Sequence, residues 1–250
     1  MQDYFSPDGA RAALVLILAV GQALTAYWPD IRRWEHTITS RSQSLDTPVI
    51  PFGPFFAIWL VIFSSCIGFA VWHALPGNLE DPFLRSVGWL AAALFAGNIA
   101  WEAYVPRRGF EWPSFFLIAV ELGIALALLA VMQPVVPDMH GPDFWLGAAP
   151  LYFFAGWVSV ATFVSLSSTL VLSGFRFDPR VGTNAAFLIL AATLVAAGVS
   201  AWTGSAVYSA SALWGLLGVT VGTRLKGEPV LATTAATGGI LVVLAGLAFA

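Results

Sequence analysis

Charge is what this chain has least of. Only 10% of its 250 residues are Asp, Glu, Lys or Arg, against about 25% in an ordinary soluble domain. The eleven basic residues are scattered singly or in pairs under a net charge of −3, which leaves no nucleic-acid footprint. The single lysine, Lys226, lies outside the apolar runs, so a span-borne Schiff base to retinal is excluded. The single cysteine, Cys66, sits within an apolar run, which rules out an internal disulfide and leaves the redox compartment unread. Walker, CxxC and HExxH motifs are absent, and no pair of acids or histidines has di-metal spacing. Conventional catalysis therefore has little support. A basic n-region is missing too: the first apolar run follows Asp3 and Asp8 and reads as a retained span, not a cleaved signal.

What remains is apolar length. Hydrophobic residues make up 58% of the chain and the mean hydropathy is +0.81. Eight runs can be marked, at about 11–28, 55–75, 86–104, 114–133, 146–173, 183–201, 205–223 and 231–249. None alternates with period two, so helices are expected, not a transmembrane barrel. The fold class expected is all-α, a polytopic membrane bundle of about eight transmembrane helices. The fifth run is long enough to tilt or to extend into the interface. The sixth and seventh are joined by Trp202-Thr203-Gly204 as a helical hairpin. With the N-terminus outside, inside loops hold Arg32, Arg33, Arg41, Arg107, Arg108, Arg176, Arg180, Arg224 and Lys226, leaving Arg11 and Arg85 outside. The positive-inside rule then places both termini in the periplasm and the longest loop, 29–54, in the cytoplasm, where it is either a lid or a solvated connector. A bacterial inner membrane is the expected location.

The chain is organised around 51–75, PFGPFFAIWLVIFSSCIGFAVWHAL. Pro51 and Pro54 suit a helix start, and Phe52, Phe55, Phe56 and Trp59 crowd the same end as an aromatic mouth. Trp101 and Trp157 are candidate partners from other spans. Trp28, Trp34, Trp112, Trp145 and Trp202 fit membrane–water interfaces. Asn98 lies three residues before Trp101, on an adjacent turn of the same face. Glu121 is the one acid well inside a run and a functional candidate on the cost of burying it, against the plainer reading of a protonated acid bonded to a neighbouring helix. Glu102 reads as an interfacial ion pair with Arg107 or Arg108, and His73 as an interface histidine with no second ligand to make a metal site. Gly218 and Gly222 form a GxxxG pair, which close helix packing or a dimer seam would explain.

Four segments resemble the translocator protein (TspO) family of tryptophan-rich sensory proteins over residues 10–175. ALVLILAVGQALTAYWP is similar to its first helix with a proline at the end. PFGPFFAIWLVIF, FAGNIAWEAYV and PLYFFAGWVSVATF are similar to its second, third and fifth helices. The resemblance implies a five-helix ligand-binding core at 1–175 and a three-helix membrane extension at 176–250. It also implies a pocket that takes porphyrins, haem or other planar hydrophobic ligands. Phe55, Phe56, Trp59, Asn98, Trp101 and Trp157 match its ligand-binding positions. Ser165 stands where the family has an asparagine, and the last three spans have no counterpart in short members.

The expected function is that of a non-enzymatic membrane binding or sensory protein for a tetrapyrrole. No cofactor is required, and bound porphyrin or haem is the ligand expectation. Alternatives are a transporter of a hydrophobic metabolite with Glu121 as coupling group, and an accessory subunit of a photosynthetic or respiratory complex. A weaker one is slow oxidation of a bound tetrapyrrole. Expected partners are membrane lipid, the hydrophobic ligand and a homodimer or larger complex.

Overall fold

The structure, a computed structural model, describes residues 6–45, 47–177 and 183–249. Asp3, Asp46 in the long loop, and Arg180 lie outside the described residues. In chain order the helices are α1 (Pro7–Ile31), the short α2 (Ile38–Gln43), α3 (Ile58–Ala74), α4 (Pro82–Arg108), α5 (Trp112–Met132), α6 (Ala149–Leu172), α7 (Thr183–Thr203), α8 (Ala206–Leu225) and α9 (Pro229–Ala248). A 3-10 turn at Gly53–Ala57 leads into α3 and a π turn at Asp143–Ala148 leads into α6. All but α2 are long and apolar enough to cross a membrane, eight spans among the described residues.

Local chemistry sets the ends of these helices. Ser6, Asp81 and Ser205 cap α1, α4 and α8 by accepting from the N–H of Gly9, Leu84 and Tyr208 at 3.1, 2.9 and 3.3 Å, and proline occupies the first turn of α1, α4, α5, α6 and α9, where a missing N–H costs nothing. Gly109 stops α4 at φ 87°, a conformation that glycine adopts without strain. The end of α1 differs from the expectation of a stop at Pro29. The helix runs on to Ile31, and the Trp34 N–H closes it on the Pro29 carbonyl at 2.8 Å. Arg33 takes the left-handed turn at φ 54°.

Five helices close a ring in the order α1–α3–α6–α5–α4, and α4 returns to α1. The remaining three form a second group, α7 and α8 both packed on α9, that joins the ring through α6. Helix α6 thus serves both groups and is more deeply buried than α5. Small residues make the seams, as expected where no water drives helices together. Gly156 of α6 lies against the backbone of Tyr208 and Ala212 on α8. Beside it the Tyr208 hydroxyl donates to Ser159 Oγ at 2.7 Å, and Ser211 Oγ donates to the Phe153 carbonyl at 2.6 Å. Gly238 of α9 receives the Thr193 side chain of α7. Large apolar side chains such as Ile17, Leu60, Phe116, Leu194 and Leu247 face outward, where lipid is their natural solvent.

The two ends of the bundle differ in charge. At one end, buried Arg11 donates through Nε to His73 Nε2 at 3.1 Å and through Nη2 to the Leu79 carbonyl at 2.7 Å. Its third contact is an ion pair with Asp8, which also pairs with Arg85. The two basic residues expected outside therefore share one acid, Asp8, with Glu80 3.9 Å from Arg85 as well, and His73 is fully buried rather than interfacial. At the other end, the basic end, Arg41 donates to the Pro106 carbonyl at 3.4 Å, Arg107 lies over the Trp34 ring at 4.5 Å, and Lys226 donates to the Thr47 carbonyl at 2.6 Å.

Candidate functional site

The aromatic residues singled out in the sequence converge at the basic end of the ring. Phe56 and Trp59 are one turn apart where the 3-10 turn passes into α3. Trp101 arrives from α4, and α6 contributes a single stripe, Trp157, Val160, Ala161, Val164 and Ser165, at helical spacing. Trp59 is the hub. It stacks on Phe63 at 5.2 Å and on Trp101 at 6.4 Å, and meets Trp157 edge-on at 5.9 Å. Phe56 in turn meets Trp157 edge-on at 6.1 Å. Pro51 and Ser42 cover the cavity, and Phe110 completes the wall beside Trp101.

The polar atoms around this cavity lack partners. The indole Nε1 of Trp59, of Trp101 and of Trp157, and the Ser165 Oγ, are all buried without a hydrogen bond. Each indole N–H can only donate, and leaving such a group buried and unpaired costs about 1–3 kcal/mol. Native interiors seldom tolerate several such groups together. The arrangement can offer donors and ring faces to a flat guest with acceptor atoms. As it stands, however, the cavity is narrow: the space open to a water centre is about 20 Å³, room for roughly one water molecule. A larger guest requires the covering segment to move.

That covering segment, residues 47–57, is held mainly by α8 and its C-terminal end. The Phe52 N–H donates to the Gly218 carbonyl at 2.9 Å, and Trp214 Nε1 donates to the Phe55 carbonyl at 2.9 Å. Lys226 holds the Thr47 carbonyl, while the Thr47 and Ser167 hydroxyls are hydrogen-bonded to each other. The GxxxG pair forms the seat. Gly222 lies directly under the Ile50 carbonyl, and Gly218 faces Pro51 and Phe55. This glycine face is thus covered by the chain's own loop and is not open as a seam to a second copy. Sequence reasoning missed the clamp, because it joins residues 120 to 179 positions apart and no local pattern marks it.

The other candidates fall elsewhere. Phe55 turns away from the cavity and packs on Trp214 at 4.9 Å. Asn98 does not line the cavity; its Nδ2 donates to Gln22 Oε1 and to Glu102 Oε1, both at 3.0 Å. Glu121 is buried between α5 and α4, its side chain against Gly97. Glu102 corrects the expectation of an interfacial ion pair. It is 1% exposed and pairs with no cation among the described residues, while Arg107 turns to the Ala103 carbonyl at 2.5 Å. Trp28, Trp112, Trp145 and Trp202 are partly exposed at the helix ends, as an interface role expects. Among the described residues no group of three or more metal-ligating side chains comes together.

An all-α bundle of eight spanning helices among the described residues, with a five-helix ring around a narrow tryptophan-lined cavity, defines a polytopic membrane protein. The family model described as TSPO-like protein matches residues 12–248, and the chain belongs to that family. The match runs through α7, α8 and α9 as well as the ring. Neither the comparison with curated proteins nor that with solved structures gave a match.

Proposed function

We propose that the protein binds a planar, largely apolar molecule between Trp59, Trp101 and Trp157, with a tetrapyrrole such as protoporphyrin or haem as the leading guest. The observation that carries the reading is the convergence of three unpaired indole N–H groups and the Ser165 hydroxyl on one cavity. Ring faces would stack on the guest, and the N–H groups would meet acceptor atoms at its edge. Because the cavity is too narrow for such a guest, binding would lift segment 47–57, so the ring at 1–175 acts as the binding unit and the extension at 176–250 as the holder of its cover. Both termini are assigned to the periplasm and the covering loop to the cytoplasm of a bacterial inner membrane, since the described basic loop residues gather at the covered end. Recognition without chemistry, as in a sensor, is the task this arrangement fits.

The test is a tryptophan-fluorescence titration of the purified protein with haem, protoporphyrin and bacteriochlorophyll precursors, run beside the Trp59→Ala, Trp157→Ala double variant. Saturable quenching in the wild type that disappears in the folded double variant is expected. Equal affinity in that variant, or no saturable quenching by any of the three, would refute the assignment.

A further inference from the structure

A second polar site lies inside the ring, between α1, α4 and α5, and the aromatic cavity does not use it. Gln22, Asn98, Glu102 and Glu121 are each at most 1% exposed. Asn98 spends its two amide hydrogens on Gln22 Oε1 and Glu102 Oε1. Gln22 Nε2, Asn98 Oδ1, Glu102 Oε2 and Glu121 Oε1 are then left buried with no partner. Glu121 approaches from α5 beside the same stretch of α4, since a Cβ added to Gly97 would lie 3.0 Å from its Cγ. No Lys or Arg among the described residues is ion-paired with either carboxyl. An ionised carboxylate in hydrocarbon without a cation is costly, and such groups mark ion or proton routes.

Glu102 borders space that water can enter, yet at 1% exposure its carboxyl is shut from it. It lines two clefts at the basic end, one of about 210 Å³ beside Tyr27, Asp30 and Thr37, the other of about 250 Å³ beside Trp28, Trp34 and Arg107. The first cleft has Phe56 and Trp59 in its wall, and the same two rings line the narrow aromatic cavity. One pair of side chains therefore separates the tryptophan cavity from the cleft that leads to Glu102.

We propose that Glu102 is a proton-exchange site gated by the Phe56–Trp59 wall. With the wall closed, the carboxyl keeps its proton. When the wall moves, water from the cleft reaches the group, its O–H bond breaks, and the proton passes to that water. The carboxylate left behind is solvated and still accepts from Asn98 Nδ2. The titratable or charged groups around it are Tyr27 and Asp30 on α1, Cys66 on α3 beside Gln22, Arg107 on α4 and Glu121 on α5; α2 brings none that faces it. The proposal rests on the aromatic-cavity reading for the event that moves the wall, while the proton site itself stands on Glu102 and its neighbours.

Infrared spectroscopy of the full chain in lipid nanodiscs tests it without a ligand. At neutral pH the wild type should show a protonated-carboxyl carbonyl absorption with a component that Glu102→Gln removes. Phe56→Ala, or the milder Phe56→Leu if the alanine variant does not fold, should weaken that component by hydrating the cleft. Identical spectra for wild type and Glu102→Gln, or a Glu102 component unmoved in the folded Phe56 variant, would overturn the proposal. A haem titration in weak buffer with a pH indicator then reads the coupling. Proton release should accompany binding in the wild type and vanish in Glu102→Gln, with haem affinity kept within about threefold. Saturable haem binding without proton release, or release that persists in Glu102→Gln, would overturn it. An absence of haem binding would instead defeat the aromatic-cavity reading and leave the infrared comparison to decide the proton site.

Discussion

Gly222→Ala asks most directly whether α8 clamps the cover of the cavity. The new Cβ would collide with the Ile50 carbonyl oxygen and lie 3.1 Å from the Phe52 nitrogen and 3.2 Å from the Ile50 carbonyl carbon. All three are backbone atoms, so no side chain can rotate to make room. The covering segment has to rise, and the Phe52 N–H bond to the Gly218 carbonyl goes with it. Overpacking of this kind costs about 1–3 kcal/mol, and one lost backbone hydrogen bond adds about 1 kcal/mol. Against that, alanine in a helix interior gains about 0.8–1.0 kcal/mol over glycine. The expected net loss is about 1–3 kcal/mol. Gly198→Ala in α7 is the control, because nothing lies within 4 Å of its added Cβ, and it should be neutral or mildly stabilising. Denaturant titration of both variants in the same micelles measures the difference, and porphyrin quenching kinetics should show faster association for Gly222→Ala. Equal stability of the two variants would refute the seat of segment 47–57 on α8.

Two further substitutions probe the frame. Arg11→Met removes the hydrogen bonds to His73 and Leu79 and the Asp8 pair, but leaves Asp8 on Arg85. It should cost about 1.5–3 kcal/mol, read by thermal unfolding in detergent, and an unchanged midpoint would deny the buried staple. Tyr208→Phe loses only the bond to Ser159 and should cost about 0.6 kcal/mol, within the range measured for hydrogen bonds between membrane helices. A loss of several kcal/mol there would mean that the α6–α8 seam depends on polar contacts more than on its glycine.

The spans were legible because in hydrocarbon an uninterrupted apolar run of this length has few alternatives to a helix. That Trp59, Trp101 and Trp157 meet was legible through their order in the chain, and the structure adds why Phe55 and Phe56 part company: neighbouring residues of a 3-10 turn point about 120° apart, one toward Trp214 and the other toward Trp157. Helix geometry likewise explains the misreading of Glu102. Arg107 follows it by five residues and so lies about 140° round the helix, on the side where it meets Trp34, while Asn98, one turn back, was the partner to expect. The clamp on the cover was not legible, since GxxxG announces close approach without naming what approaches.

The extension is bound to the cavity by more than the cover. Val160 lines the cavity from α6, and a Cβ added to Gly215 of α8 would lie 3.1 Å from its branched side chain. Four residues earlier, Gly156 of the same helix lies against the α8 backbone at Tyr208 and Ala212. Helix α8 therefore touches both the inner wall and the outer lid of one site, the first through α6 and the second through segment 47–57. Close-packed contacts transmit a shift of even a methyl group, so a movement of α8 cannot leave both surfaces in place. Any partner or lipid that repositions the last three helices acts on the tryptophan cavity through these two contacts, and any guest that lifts the cover pushes back on α8 with the same free energy.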